Sequence, residues 1–359
     1  MSTLVRLLRL RPTVIALLLA ATCCAPLLNA QAPAPAPNSA PSTSPKIVPA
    51  RAASPLRLLP RDRPYELRML YLEDPRLPRL APAQRPLLYT KLERLLLEWL
   101  GYTVKLREVG ARDLGSEFTR YDQVFARSAS IIRNTDLDPA GPLGAEKLRG
   151  VIARDFRNRP LATVARYLRA GTLSSQAEAV DLAQRQFISQ LDELRRSPLP
   201  DGQPFFNSAQ ARLNSFAHWA VLMEEITEAD FVLTNSMIVG ADQQMPIYVI
   251  ARGGLTTGLT DNNDRSPYQT ATMVGLFPFL SDAPVFLRER GRIPDAEILD
   301  VIATFCLHEM GHFFCRLAEH YDHPNCVHVA PTGLNYYTWH QAVRAAGPCR
   351  LVHQITSRF

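Results

Sequence analysis

Acidic residues run out before the end of this chain: no Asp or Glu follows Asp322 in its 359 residues. A metal ligand drawn from beyond that point is therefore expected to be histidine rather than a carboxylate. Histidine is itself almost missing elsewhere, since seven of the eight lie at 308, 312, 320, 323, 328, 340 and 353. The six cysteines contain no Cys-x-x-Cys pair, which tells against a closed thiolate zinc site. No Lys/Arg run with interleaved aromatics occurs either. The 40 basic residues fall to 37 without Arg6, Arg9 and Arg11, against 34 acidic, a net of +3. That balance gives no case for nucleic acid as a partner.

The first thirty residues have the layout of a secretory signal: three arginines, an apolar run from Thr13 to Ala21, then small residues. The run is too short for a membrane span, which needs about 20 apolar residues. Cleavage could follow Ala30. Alternatively, Cys23 after Ala20-Ala21-Thr22 looks like an imperfect bacterial lipoprotein box, which would tether the chain to a membrane by lipid. Residues 31–62 are rich in Ala, Pro and Ser, a composition that extends as a spacer rather than burying a core. The expected product is secreted, or periplasmic at the cell envelope.

From residue 63 to 359 the chain is long enough for one sizeable domain. Tyr65 to Leu72 reads as a strand, Ala83 to Leu100 as an amphipathic helix ending at Gly101, and Thr103 to Val109 as a second strand. A strand, helix and strand in that order suggest parallel pairing. About 144–200 is helical in period and reads as an insertion with solvated charged faces. Phe216 to Ile226 reads as a helix; its His218, alone there, is far more often packing than a ligand. Ala229 to Leu233 and Met245 to Ala251 read as strands.

The chemistry concentrates in His308-Glu309-Met310-Gly311-His312, of the form H-E-x-x-H. On a helix, residues four apart lie about 6 Å along the axis on one face, so both imidazoles can reach one ion. Neutral histidine nitrogen binds zinc at about 2.0–2.1 Å, and Glu309 at the flank can act on a water without taking a ligand position. A structural zinc site has no use for a carboxylate between two histidines; hydrolysis does. Ile298, Leu299, Val301, Ile302, Phe305 and Leu307 before the motif, with Phe313 and Phe314 after it, make this a buried helix, and Asp295 after Pro294 is its expected start.

Two ligands leave a catalytic site incomplete. With late carboxylates missing, the third ligand is expected to be histidine. His320 would lie about 12 Å beyond His312 on an unbroken helix, so the chain must bend first.

The residues His308-Glu309-Met310-Gly311-His312, followed by His320-Tyr321-Asp322-His323-Pro324-Asn325-Cys326-Val327-His328 and Ala330-Pro331, resemble the metzincin clan of zinc metallopeptidases, in its matrixin-like and archaemetzincin-like members. The resemblance implies a zincin of α+β (α/β-type) architecture. Its parts would be a twisted mixed sheet and a backing helix, then, over 295–359, an active-site helix and a small C-terminal subdomain. It implies zinc held by His308, His312 and His320, with His323 as the alternative third ligand, and Glu309 as general base and acid. It also makes Pro246 to Thr260 the sheet edge that would pair with an extended peptide substrate; an ordinary edge hairpin is the plain alternative.

The chain departs from the family at several points. Cys315 stands where the family has a turn glycine, two extra residues precede His320, and His328 stands where the family has methionine. Tyr336 and Tyr337 fall where some members place a tyrosine at the metal, though adjacent tyrosines are more often packing.

Four cysteines lie beyond the leader, at 306, 315, 326 and 349. In an oxidising compartment an even number suggests two disulfides, with three pairings open. Cys315 with Cys326 would staple the divergent turn, and Cys326 with Cys349 would pin the tail. A second structural zinc site built from these cysteines with His323 and His328 is the rival. The expected function is an exported zinc peptidase, an endopeptidase if the cleft is open at both ends. The alternative is an exported binding or envelope protein that keeps a zinc site for structure.

Overall fold

The computed structural model describes residues 59–135, 144–196, 211–239, 251–252, 254–257, 271–315, 325–329, 331 and 335–349. The first thirty residues with Cys23, most of the Ala/Pro-rich segment, most of Met245 to Ala251, and both His320 and His323 lie outside the described residues.

Strand β1, Tyr65–Glu73, sends Leu67, Met69 and Tyr71 into one core and Leu70 and Leu72 into another. Alternate side chains of a strand point to opposite faces, so a strand apolar on both is covered on both. Helix α1, Gln84–Leu95, continues through a π-helical turn, Leu96–Leu100, and stops at Gly101. Gly101 sits at φ 73°, a left-handed conformation that costs glycine little, and its N–H closes the helix on the Leu97 carbonyl at 3.1 Å. Strand β2, Val104–Asp113, then pairs parallel with β1. The expected opening is present, with β2 starting one residue later and ending four residues later than anticipated.

Between β2 and the next strand the described residues are mostly helical. The elements are α2 (Leu114–Arg120), α3 (Asp122–Arg127), α4 (Ala129–Thr135), α5 (Gly144–Phe156), α6 (Leu161–Tyr167), α7 (Gln176–Arg196), α8 (Ala211–Asn214) and α9 (Phe216–Glu225). The Asp113 carboxylate caps α2 by accepting the Ser116 N–H at 2.7 Å. The strands that follow are β3 (Phe231–Thr234), β4 (Ile238–Val239), β5 (Ala251–Arg252), β6 (Gly254–Thr257) and β7 (Ala271–Gly275).

The main sheet has the order β2-β1-β3-β7-β6. Its first four strands are parallel, and β6 runs antiparallel to β7 at one edge. The pair β4–β5 forms a separate antiparallel ribbon. Ala251 thus belongs to the ribbon, while β6 lies within Pro246 to Thr260, the stretch expected to hold a sheet edge.

Among the described residues four helices follow: α10 (Phe277–Leu280), α11 (Pro284–Arg290), α12 (Ile298–Cys315) and α13 (Tyr336–Ala346). Asp295 does not begin α12; Asp295 to Glu297 form a turn whose Glu297 N–H bonds to the Pro294 carbonyl at 2.8 Å. Ahead of it, Arg290 is buried and donates to the carbonyls of Pro278 (2.9 Å) and Gly291 (2.7 Å), which fixes the lead-in to α12.

The sheet lies between two helical layers. On one face α1 and α12 pack over Leu67, Met69, Phe231, Leu233 and Val274. On the other, α2, α3, α4 and α9 cover Leu70, Leu72, Val232 and Met273. Helices α5 and α7 join the first core through Leu148, Ile152, Phe156, Ala183 and Phe187. Arg288 on α11 meets the Glu193 carboxylate on α7 at two points, 2.9 and 2.7 Å. Exposed ion pairs contribute about 0–1 kcal/mol, so the apolar contacts hold these helices in place.

Candidate metal centre

Helix α12 is apolar around its whole circumference, and such a helix must be enclosed. Alpha helices α1 and α13 and strands β6 and β7 enclose it. Phe314 stacks on Tyr102 at 4.5 Å and meets Tyr65 edge-on at 5.4 Å; Phe305 meets Tyr336 and Trp339. Each fully buried side chain of this size contributes about 1.5–3 kcal/mol, and their sum carries the polar groups along.

Those polar groups are His308 and Glu309, 1% and 6% exposed, and the half-buried His312. The two imidazoles stand one turn apart, edge to face, with centroids 4.8 Å apart. Nδ1 of His308 lies 2.7 Å from the Val327 carbonyl oxygen. A carbonyl only accepts, so Nδ1 carries a hydrogen, and of the two neutral tautomers this contact selects the one with its lone pair on Nε2. That Nε2 is 4.0 Å from Oε1 of Glu309, longer than a hydrogen bond, so the two groups are near neighbours at the surface of one helix turn. Phe305, 5.4 Å from the His308 ring, and Trp339, 6.1 Å away, pack aromatic surface beside the imidazole.

His328 is fully buried. Its ring lies so close to Gly311 that a Cβ built there would be 2.0 Å from Cε1 and 2.3 Å from Nδ1. Helix α12 thus needs glycine at 311 because the imidazole occupies the side-chain space. His328 forms part of the floor beneath the motif.

The other candidates fall away from the centre. Tyr336 is buried between Phe279 and Phe305, a packing role. Tyr337 donates its hydroxyl to Glu297 at 3.0 Å and stacks on His340. His340 donates from Nδ1 to Oγ1 of Thr304 at 2.9 Å, since that hydroxyl gives its own hydrogen to the Asp300 carbonyl. Burial, aided by Arg344, pushes the His340 imidazole below its ordinary value, so the neutral ring is favoured there. His218 sits on α9, edge-on to Phe125 at 5.3 Å, within the layer on the opposite face of the sheet.

The cysteines correct one expectation. Cys326 and Cys349 form a disulfide with Cα atoms 5.2 Å apart. Cys306 and Cys315 are buried thiols that do not form a second disulfide. Nine residues apart on one helix, they are separated by about 13 Å of axial rise and cannot bridge each other. Burial raises the Cys306 thiol well above its ordinary pKa, with the Glu309 charge adding to the effect, so it stays protonated.

Sequence reasoning located His308, Glu309 and His312 but missed what orients them. The Val327 carbonyl leaves no mark in a residue pattern, because every residue has one. Among the described residues no group of three His, Cys, Asp or Glu converges as a metal site. His308 and His312 supply two donors, and the expected third, His320 or His323, lies outside them. Comparison with protein-family models, with curated proteins and with solved structures finds no match to this chain.

Proposed function

We propose that this chain is an exported zinc-dependent peptidase of zincin type, with His308 and His312 as metal ligands and Glu309 as general base and acid. The observation that carries the reading is the commitment of His308 Nδ1 to a backbone carbonyl. It leaves Nε2 4.0 Å from the Glu309 carboxylate, one turn from His312. The donor set fits zinc, since two imidazoles and a further histidine at 320 or 323 match its preference for nitrogen ligands. A water that zinc polarises loses a proton near neutral pH, and a carbonyl that it polarises is open to attack.

The rest falls to the residues of the chain. Glu309 accepts a proton from the attacking water at a carboxylate oxygen and passes it to the leaving amine, so that it ends in its starting state. Phe305 and Trp339 pack aromatic surface beside the His308 imidazole. Strand β6 lies beside α12 as the last strand of the described sheet order, where an extended peptide would find main-chain hydrogen-bonding groups. The leader and the Ala/Pro-rich spacer support export, with a lipid anchor at Cys23 as the alternative to cleavage after Ala30.

Metal removal is the direct test. Dialysis against a strong chelator is expected to abolish cleavage of an unstructured protein, and added zinc to restore it. Cleavage that continues undiminished in the metal-depleted protein would overturn the proposal. Zinc uptake with no cleavage under any condition would favour the binding-protein alternative.

A further inference from the structure

The carbonyl that orients His308 belongs to a turn held from outside. Asn325 to Val329 is closed by the Val329 N–H on the Cys326 carbonyl at 3.0 Å. Two attachments come from the C-terminal segment. The disulfide ties Cys326 to Cys349, just past the end of α13, and the Trp339 indole on α13 donates Nε1–H to the Val329 carbonyl at 2.6 Å. Val327 therefore has a tethered residue on each side of it. Helix α13 in turn packs on α12 through Phe305, so the brace and the helix it serves are one assembly.

This geometry has a chemical consequence for His308. The position of an acceptor oxygen decides which ring nitrogen bears the hydrogen, and the second nitrogen is then the metal donor. A turn free to swing would let the ring adopt the other tautomer, with Nε2 protonated and closed to a metal. Resting on the reading of the site given above, we propose that Trp339 and the Cys326–Cys349 cystine are positioning residues for His308. They hold the Val327 carbonyl in place, and through it they keep Nε2 as the metal-accepting nitrogen.

The test uses the full chain and two variants, Cys326→Ser/Cys349→Ser and Trp339→Phe. In the zinc-free proteins, imidazole nitrogen shifts of isotopically labelled histidine, assigned against His308→Ala, read the tautomer. Competition with a chromogenic chelator reads zinc affinity. The wild type is expected to hold His308 in the Nδ1–H form. Each folded variant is expected to mix tautomers and to bind zinc about 10–100-fold more weakly, the usual cost of losing support around a ligand. Trp339→Phe keeps most of the ring's bulk and removes the donor, so it carries the test if loss of the cystine unfolds the chain. Folded Trp339→Phe with an unchanged His308 tautomer and zinc affinity within twofold of wild type would overturn the proposal. A wild-type chain that keeps the Nδ1–H form but takes up no zinc would leave the brace standing and remove the peptidase reading instead.

Discussion

Glu309→Gln is expected to leave zinc content at about one per chain while peptide cleavage falls by about 10²–10⁴-fold, the range for loss of a positioned general base. The substitution keeps the size and the hydrogen-bonding reach of the side chain and removes its ability to take a proton. Glu309 is not needed to hold the metal, because the donors come from histidine. Its burial sharpens the expectation: at 6% exposure there is little room for bulk water to substitute as base. Cleavage assays on an unstructured protein, paired with metal analysis of the same sample, separate the two effects. A Gln variant that cleaves within tenfold of wild type would remove Glu309 from the mechanism.

Gly311→Ala is expected to destabilise the fold by about 1–3 kcal/mol, as overpacking of a filled core does. Two effects oppose each other here. Alanine is better than glycine inside a helix by about 0.8–1 kcal/mol. Against that stands a Cβ built 2.0 Å from the buried His328 ring, closer than real side chains come. Neither side yields easily, since α12 is wedged by Phe313 and Phe314 and the turn carrying His328 is tied by the disulfide. The steric cost therefore exceeds the helical gain. Denaturant unfolding measures the balance, and a second substitution assigns its cause. In a His328→Ala background the same change should become neutral or stabilising, because the obstructing ring is gone. If Gly311→Ala stabilises the otherwise unaltered protein, His328 does not occupy the space assigned to it.

The sequence makes some of this architecture plain because local chemistry and tertiary demand agree. Tyr65 to Leu72, the helix ending at Gly101 and the following strand each carry their own signal: aromatic and branched residues, helical spacing, and a glycine at the only place the turn needs one. The spacing of His308 and His312 within an apolar helix needs no tertiary information at all. Strand β7 was not legible, because Ala271 to Gly275 is a short run buried throughout. Such a run has no alternation to distinguish it from a piece of core helix. Helices α2 to α4 are six or seven residues each and rely on packing under the sheet rather than on periodicity.

At the site, the unreadable parts are those that depend on chain return. The close fit of His328 to Gly311 joins positions 17 apart through a bend that no local rule specifies. The pairing of Cys326 with Cys349 depends on where α13 lands. Arithmetic on the cysteines favoured two disulfides, and the helix defeats that by separating Cys306 from Cys315 along one axis.

The central claim is that His308 and His312 belong to a catalytic metal centre, and zinc stoichiometry tests it most directly. Metal analysis of the purified protein, beside His308→Ala, is expected to give about one zinc per chain for the wild type and a small fraction of that for the variant. A wild-type protein that is folded, has been offered zinc and still contains none would contradict the account at its foundation.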